Sequence, residues 1–410
     1  MEEFKKIFTQ TAWQVGGRFF GIIASFIVLG IVTHHYGKEG TGIFTQASTY
    51  LAFFFLVADL GLNGYFLPRL QQHPYEANQL FNFRLLWSGV LILLVFLLTP
   101  LLPFGNSQFN LAVYLGAITI LLSSITANTS LIFQAKLRYD LSNLAGVIGA
   151  FSMIPVILCL NYLKVPVSFL IIVTIVGWLI NNIFSLLLVK KLYQFKIEKV
   201  NFSFITTTLK YAWPITLTLL LNTVYFRIDS FILTSAKSFT EVGIYNVAYQ
   251  VFQNAITIPT FIMNSFYPMM IMLFHENRKK FFYQLKIAAA GLFFLSLIGV
   301  VFTYFLSPWI INILAGPGFE GSNESLKVLA FGFPAYFLTA LLMWVFVLLG
   351  KQKIMFWVYL FGLIFNVITN LIFIPQYSYL AASWITGISE YLILVLQLGI
   401  LWKAFRSKYQ

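Results

Sequence analysis

Twelve apolar stretches, each about as long as a membrane-crossing helix requires, dominate this chain and constrain its fold before any single residue does. They run at 9–33, 42–67, 85–103, 110–133, 141–163, 166–189, 208–234, 242–273, 284–306, 326–350, 354–374 and 379–402. No gap between them is long enough for a soluble domain. Composition agrees: 59% of the 410 residues are hydrophobic and 10% are charged, whereas soluble domains carry about 25% charged residues. Such a chain cannot cover itself with a charged surface, so the reading is an all-α, polytopic membrane protein. The segment MEEFKKIFTQ puts two lysines ahead of the first apolar run, as a cleavable signal would. That run is too long and has no convincing small-residue cleavage site, so it stands as the first span.

The net charge of +13 raises the possibility of a nucleic-acid partner, but that requires basic residues gathered on a soluble face. Here they lie in short gaps between apolar runs, and topology explains them. With the N-terminus cytoplasmic, the outer segments hold only Lys38, Lys164, Lys237 and Lys327 of the 26 Lys and Arg residues. Arg18 and Arg227 fall inside spans, and all the others lie in inner segments. A miscounted span would invert every later loop, so this asymmetry supports twelve spans with both termini cytoplasmic. The one cysteine, Cys159, cannot form an internal disulfide and leaves the redox compartment unread.

The most basic inner loop, KKLYQFKIEKVNFSFITTTLK, follows the sixth span. It divides the chain into an N-terminal six-helix lobe, 1–196, and a C-terminal one, 197–410. Two halves of six spans share one orientation, the condition for a parallel repeat. A faint echo supports it: GTGIFTQAS and EVGIYNVAY place Gly42 and Gly243 early in the second helix of each half.

Charged and polar side chains within the spans form stripes. In span one, Thr11, Gln14, Arg18, Gly21 and Ser25 recur at helical spacing on one face of an otherwise apolar helix. Arg18 lies roughly 18 Å along the helix from Lys6, too deep for easy snorkelling to the surface. Span seven carries Thr218, Asn222, Tyr225 and Asp229, and span twelve carries Ser383, Thr386, Glu390 and Gln397. Asp59 and Asn63 end span two, Gln134 ends span four, and Gln250, Gln253, Asn254 and Thr257 crowd span eight. The economical arrangement is two six-helix bundles facing one another across a hydrated cleft. Ser, Thr, Asn and Gln in such helices also serve as interhelical glue. Arg227 and Asp229 are two residues apart and point to different sides, so they should not pair. Glu390 is compatible with an ion-pair partner, a protonated carboxyl or a cation-coupling site.

Several chemistries find no support. There is no G-x-x-x-x-G-K-[ST] motif for nucleotide hydrolysis. His34 and His35 are adjacent and lack metal-ligand spacing. The outer loops hold scattered acids, Glu39, Glu241, Glu320 and Glu324, without the acidic loop a membrane glycosyltransferase needs.

The phrases HHYGKEGTGIFTQAS, VADLGLNGYFLPRL, RIDSFIL with EVGIYNVAYQ, ILAGPGFEGSNESLKVLAFGFP and IPQYSYLAASWITGISE fall in order along nearly the whole chain. Together they resemble the polysaccharide-transporter (Wzx-type flippase) family of the multidrug/oligosaccharidyl-lipid/polysaccharide (MOP) superfamily. The last phrase departs from that pattern, with Ser378 and Ala381 in glycine-like places. The resemblance implies two MATE/MurJ-like lobes around a central cavity in a cell inner membrane. It also implies alternating access that moves an undecaprenyl-diphosphate-linked oligosaccharide, such as an O-antigen, capsule or exopolysaccharide repeat unit, to the outer leaflet. No cofactor is expected beyond an H⁺ or Na⁺ gradient acting through Asp59, Asp229 or Glu390. Arg18 is expected on the diphosphate, Gln14 and Asn222 on the substrate, and Arg69 and Arg84 at the cytoplasmic entrance. Expected partners are the lipid-linked oligosaccharide, membrane lipid and a polysaccharide polymerase or assembly complex, with no nucleic acid. The competing readings are an exporter of small cationic drugs, a membrane glycosyltransferase, and a structural component of an envelope-synthesis complex.

Overall fold

The computed structural model describes the backbone of residues 2–70, 73 and 75–406, and the side chains of 13–70, 73, 75–214 and 216–403. Thr11, which opens the stripe on the first span, therefore lies outside the described side chains. Among the described residues every regular element is helical. The α-helices are α1 (Glu2–Asp59), α2 (Leu62–Arg69), α3 (Glu76–Leu98), α4 (Ser107–Gly116), α5 (Ile118–Ala135), α6 (Tyr139–Tyr162), α7 (Ile171–Val189), α8 (Phe202–Ala236), α9 (Phe239–Ala255), α10 (Ile258–Glu276), α11 (Arg278–Ala315), α12 (Glu320–Ala330), α13 (Phe333–Leu348) and α14 (Gln352–Arg406). Helices suit a hydrocarbon solvent because each satisfies its own backbone N–H and C=O groups.

Nine helical stretches among the described residues are long and apolar enough to cross a membrane, and ten if α12 and α13, bent by 46°, act as one span. That is fewer than the twelve expected. The difference arises because Trp13–Arg69 and Gln352–Lys403 are single stretches of 57 and 52 residues. Drawn straight, each would exceed twice the ~30 Å hydrocarbon thickness. Neither is straight. Gly37 (φ 62°, ψ −165°) breaks the first and Ser378 (φ 53°, ψ −137°) breaks the second, each between two of the expected spans. Gly37 adopts this conformation without a Cβ penalty. Ser378 is strained there by about 1–3 kcal/mol, and its hydroxyl donates to the Glu241 carboxylate in the first turn of α9.

The chain divides into two compact units, Met1–Leu220 and Leu221–Gln410. The division falls inside α8, past the 196/197 boundary expected from the basic linker, because that linker is fastened to the first unit. Lys196 N–H donates to Asn78 Oδ1 (2.6 Å) and Asn82 Nδ2 donates to the Lys196 carbonyl (2.7 Å). Glu198 N–H donates to Asn82 Oδ1 (3.1 Å), and Phe195 stacks on Phe81. Two asparagines of α3 thus satisfy backbone groups that have no helix of their own.

Among the described residues the first unit's apolar clusters include the following two. One joins Val28, Val32 and Phe44 of α1 to Ile157 of α6 and Val173 of α7. The other joins Leu62 and Phe66 of α2, Leu80 and Phe83 of α3, Phe133 of α5 and Ala212 of α8. In the second unit, Tyr225 of α8 packs with Val358 and Ile393, one from each arm of α14. The repeated phrases occupy matching local positions. Gly42 is buried five residues after the break at Gly37, and Gly243 is buried five residues after Ser238, the N-cap of α9.

Candidate functional site

The first unit organises its charge around a second broken helix. Leu60 (φ 54°) and Gly61 (φ 66°) are both left-handed and separate α1 from α2. A break inside an apolar stretch frees carbonyls that apolar surroundings cannot satisfy. Three side chains from neighbouring helices supply the donors. Trp87 Nε1 donates to the Val57 carbonyl (2.9 Å), Arg84 to that of Asp59 (3.3 Å), and Thr216 Oγ1 to that of Leu60 (3.1 Å).

Arg84 is fully enclosed. Its guanidinium donates to Asp59 Oδ1 (2.8 Å), Asn63 Oδ1 (3.0 Å) and Asn128 Oδ1 (3.3 Å), so α3 ties the two sides of the break to α5. The Asp59 side chain is 37% exposed. Burying a guanidinium costs several kcal/mol unless it is paired and hydrogen-bonded, and the break provides that pairing. Arg84 and Asp59, expected in separate roles at an entrance and in ion coupling, are one ion pair. An enclosed Arg84 cannot receive a ligand without first releasing Asp59. Arg69 is exposed at the end of α2 and grips Glu76 through Nε (2.9 Å) and Nη2 (2.8 Å), while Nη1 donates to Tyr65 Oη (3.0 Å). It joins α2 to α3 across the intervening turn.

Gln14 and Arg18 are exposed on α1, as is Ser25 further along the same face. The packed face differs: Ala24 and Val28 are buried, and a Cβ added to Gly17 would lie 2.7 Å from the Asn143 side chain of α6. The helix therefore meets α6 through small and apolar residues, and along the same stretch Trp13, Phe19 and Phe20 are exposed together with Gln14 and Arg18.

In the second unit the stripes of α8 and α14 meet. Asp229 is buried and accepts hydrogen bonds from the Tyr245 hydroxyl, from Thr386 Oγ1 (3.1 Å) and from Ser230 N–H (2.7 Å). Glu390 is buried and accepts from the Thr339 hydroxyl and from Tyr225 Oη (2.8 Å). Beside it Asn366 Nδ2 donates to Ser389 Oγ (3.1 Å), and Asn370 Nδ2 donates to Asn366 Oδ1 (2.8 Å). Neither carboxyl group makes an ion pair among the described residues. Arg227 donates instead to Gln253 Oε1 (2.5 Å) and lies over the Tyr249 ring, consistent with its two-residue offset from Asp229. Asn222 is exposed on α8.

Asn128, Tyr245 and Thr339 were not singled out from the sequence. A hydroxyl or amide at helical spacing to another polar residue is the only signal they carry, and many residues in the chain share it.

Comparison with known proteins places this arrangement in a fold. A sequence profile of the family described as "Polysaccharide biosynthesis protein" matches residues 7–274. No curated protein matches the chain in sequence. Lipid II flippase MurJ in its inward closed conformation is similar with a TM-score of 0.79 and 15% identity, over 95% of this chain and 87% of that one. The inward-facing conformation of a multidrug resistance MATE family transporter of the MOP superfamily gives 0.76 and 14%, over 94% of each chain. A MOP superfamily transporter from Pyrococcus furiosus gives 0.65 and 14%, over 98% of this chain and 95% of that one. The likeness is one of fold. The chain is a multi-pass, all-helical membrane protein with the architecture of MOP superfamily transporters.

Proposed function

The chain belongs to the polysaccharide biosynthesis protein family, and we propose that it is a flippase carrying undecaprenyl-diphosphate-linked oligosaccharide across the cytoplasmic membrane by alternating access. The observation that carries this reading is Arg18. A guanidinium stays charged under all cellular conditions and holds phosphate through paired hydrogen bonds. On α1 it stands on an exposed polar face with Gln14, a position from which it can reach a diphosphate. Gln14 and Asn222 offer amides to the glycan, and the polyprenyl tail stays in lipid. Arg69 remains a weaker contact, since Glu76 already occupies two of its nitrogens.

Transport against a gradient needs an energy source, and the sequence has no nucleotide site. Asp229 and Glu390 fit the task of coupling to an H⁺ or Na⁺ gradient, because each is a buried carboxyl group held by neutral donors rather than by a resident cation. Asp59 does not fit it, since Arg84 already neutralises it. The distribution of Lys and Arg supports a cytoplasmic position for both termini.

The reading is tested by reconstituting the purified protein in liposomes and following leaflet exchange of a fluorescent undecaprenyl-diphosphate glycan. Exchange above the protein-free rate, changed by an imposed proton or sodium gradient, supports it. Export of a cationic dye with no exchange of the glycan lipid would assign the chain to small-molecule export instead.

A further inference from the structure

Alongside the break between α1 and α2, the first unit has an apolar cavity of about 310 Å³ lined by Leu60, Leu209, Trp213, Thr216, Leu217 and Leu220. Five of these six residues come from α8, so the cavity is a slot along that helix. From Leu209 to Leu220 it runs roughly 16 Å at 1.5 Å per residue. Apart from the Trp213 indole N–H its lining is leucine and Thr216, whose hydroxyl is already bonded to the carbonyls of Leu60 and Ala212. An open groove lined almost wholly by leucine suits a hydrocarbon chain better than water.

One end of the slot is marked by charge. Lys210 follows Leu209 directly and lies seven residues from Leu217, which aligns the two on one face of α8, with Trp213 between them. Lys210 is exposed and has no acidic partner within ion-pair distance among the described residues, and Trp213 is 61% exposed. Tyr211, next to Lys210, stacks on Tyr65 (5.3 Å between ring centres), and Arg69 lies over the other ring of that pair. Beside Leu209, therefore, stand Lys210, Tyr211 and the Tyr65 ring with Arg69 over it. A Trp at the rim and a Lys beyond it are the groups that anchor a protein at the headgroup level of a bilayer.

We propose that this groove is a binding site for a phospholipid with an anionic headgroup, its acyl chain in the slot and its phosphate on Lys210. The site is independent of the transported substrate. The bound chain would rest against the Leu60 carbonyl and Thr216, so occupancy touches the clasp that holds the helix break.

Native mass spectrometry of the full-length protein in detergent, titrated with phosphatidylglycerol or phosphatidylcholine, tests this. The wild type should retain one phosphatidylglycerol about fivefold more tightly than phosphatidylcholine, the factor that about 1 kcal/mol from one lysine gives. Lys210→Gln should abolish that preference, and Leu217→Trp, which fills the slot, should reduce retention of both lipids. Lys210 is exposed, so its variant keeps the test valid even where filling the slot disturbs folding. An unchanged preference in Lys210→Gln would overturn the site. Displacement of phosphatidylglycerol by equimolar undecaprenyl phosphate would give the groove to an isoprenoid lipid and overturn it equally.

Discussion

The two units bury charge in opposite ways. In the first, the guanidinium of Arg84 is enclosed beside a carboxylate and two asparagines, so its charge is compensated within the fold. In the second, Asp229 and Glu390 are enclosed by tyrosine and threonine hydroxyls and make no ion pair among the described residues. A compensated pair fixes geometry, here that of a broken helix. A carboxyl group surrounded by neutral donors can take up and release a cation or a proton with little rearrangement. The first unit's buried charge holds a helix break in place, and under the proposed coupling the second unit's carboxyl groups would do the work of transport.

The assignment makes graded demands. Asp59→Asn should have the largest effect on stability, about 3 kcal/mol, because it leaves Arg84 buried against neutral acceptors alone. A drop in the thermal midpoint of the purified protein reads this out, and the double variant Arg84→Leu with Asp59→Asn should recover part of the loss. Thr216→Val should cost about 1–2 kcal/mol, since the Leu60 carbonyl then loses a donor at a depth where water cannot replace it. Asp229→Asn and Glu390→Gln should each cost about 1–2 kcal/mol, because an amide keeps one acceptor oxygen and puts a donor where the second stood. These two should instead remove the sodium or pH dependence of transport. If either melts as early as Asp59→Asn while keeping that dependence, the contrast between the units collapses. Arg69→Gln should cost about 1–2 kcal/mol, since Arg69 is exposed and screened while the Glu76 carboxylate it leaves is buried.

Much of this was legible in the chain. Apolar length fixed the helical membrane class, and helical spacing put Tyr225 with Asp229 and Thr386 with Glu390 on common faces. Those two faces meet in the second unit, through Tyr225 on Glu390 and Thr386 on Asp229. The break at Leu60–Gly61 was not legible, because VADLGLNGYF reads as the end of a span and a non-glycine residue with positive φ leaves no compositional trace. The pairing of Arg84 with Asp59 was missed for a related reason. The two are 25 residues apart on different helices, and periodicity reports the face a residue occupies but not the helix it meets. Ser378 is a partial case: its glycine-like place was noted in sequence, while its left-handed backbone emerges only in the folded chain.

The central claim is that Arg18 holds the diphosphate of the transported lipid, and leaflet exchange measured in liposomes with Arg18→Gln tests it most directly. The account predicts that exchange of the labelled undecaprenyl-diphosphate glycan falls to the protein-free rate while the protein still expresses and folds, because α1 packs on α6 through Gly17 and Val28 rather than through Arg18. Exchange at the wild-type rate would contradict it.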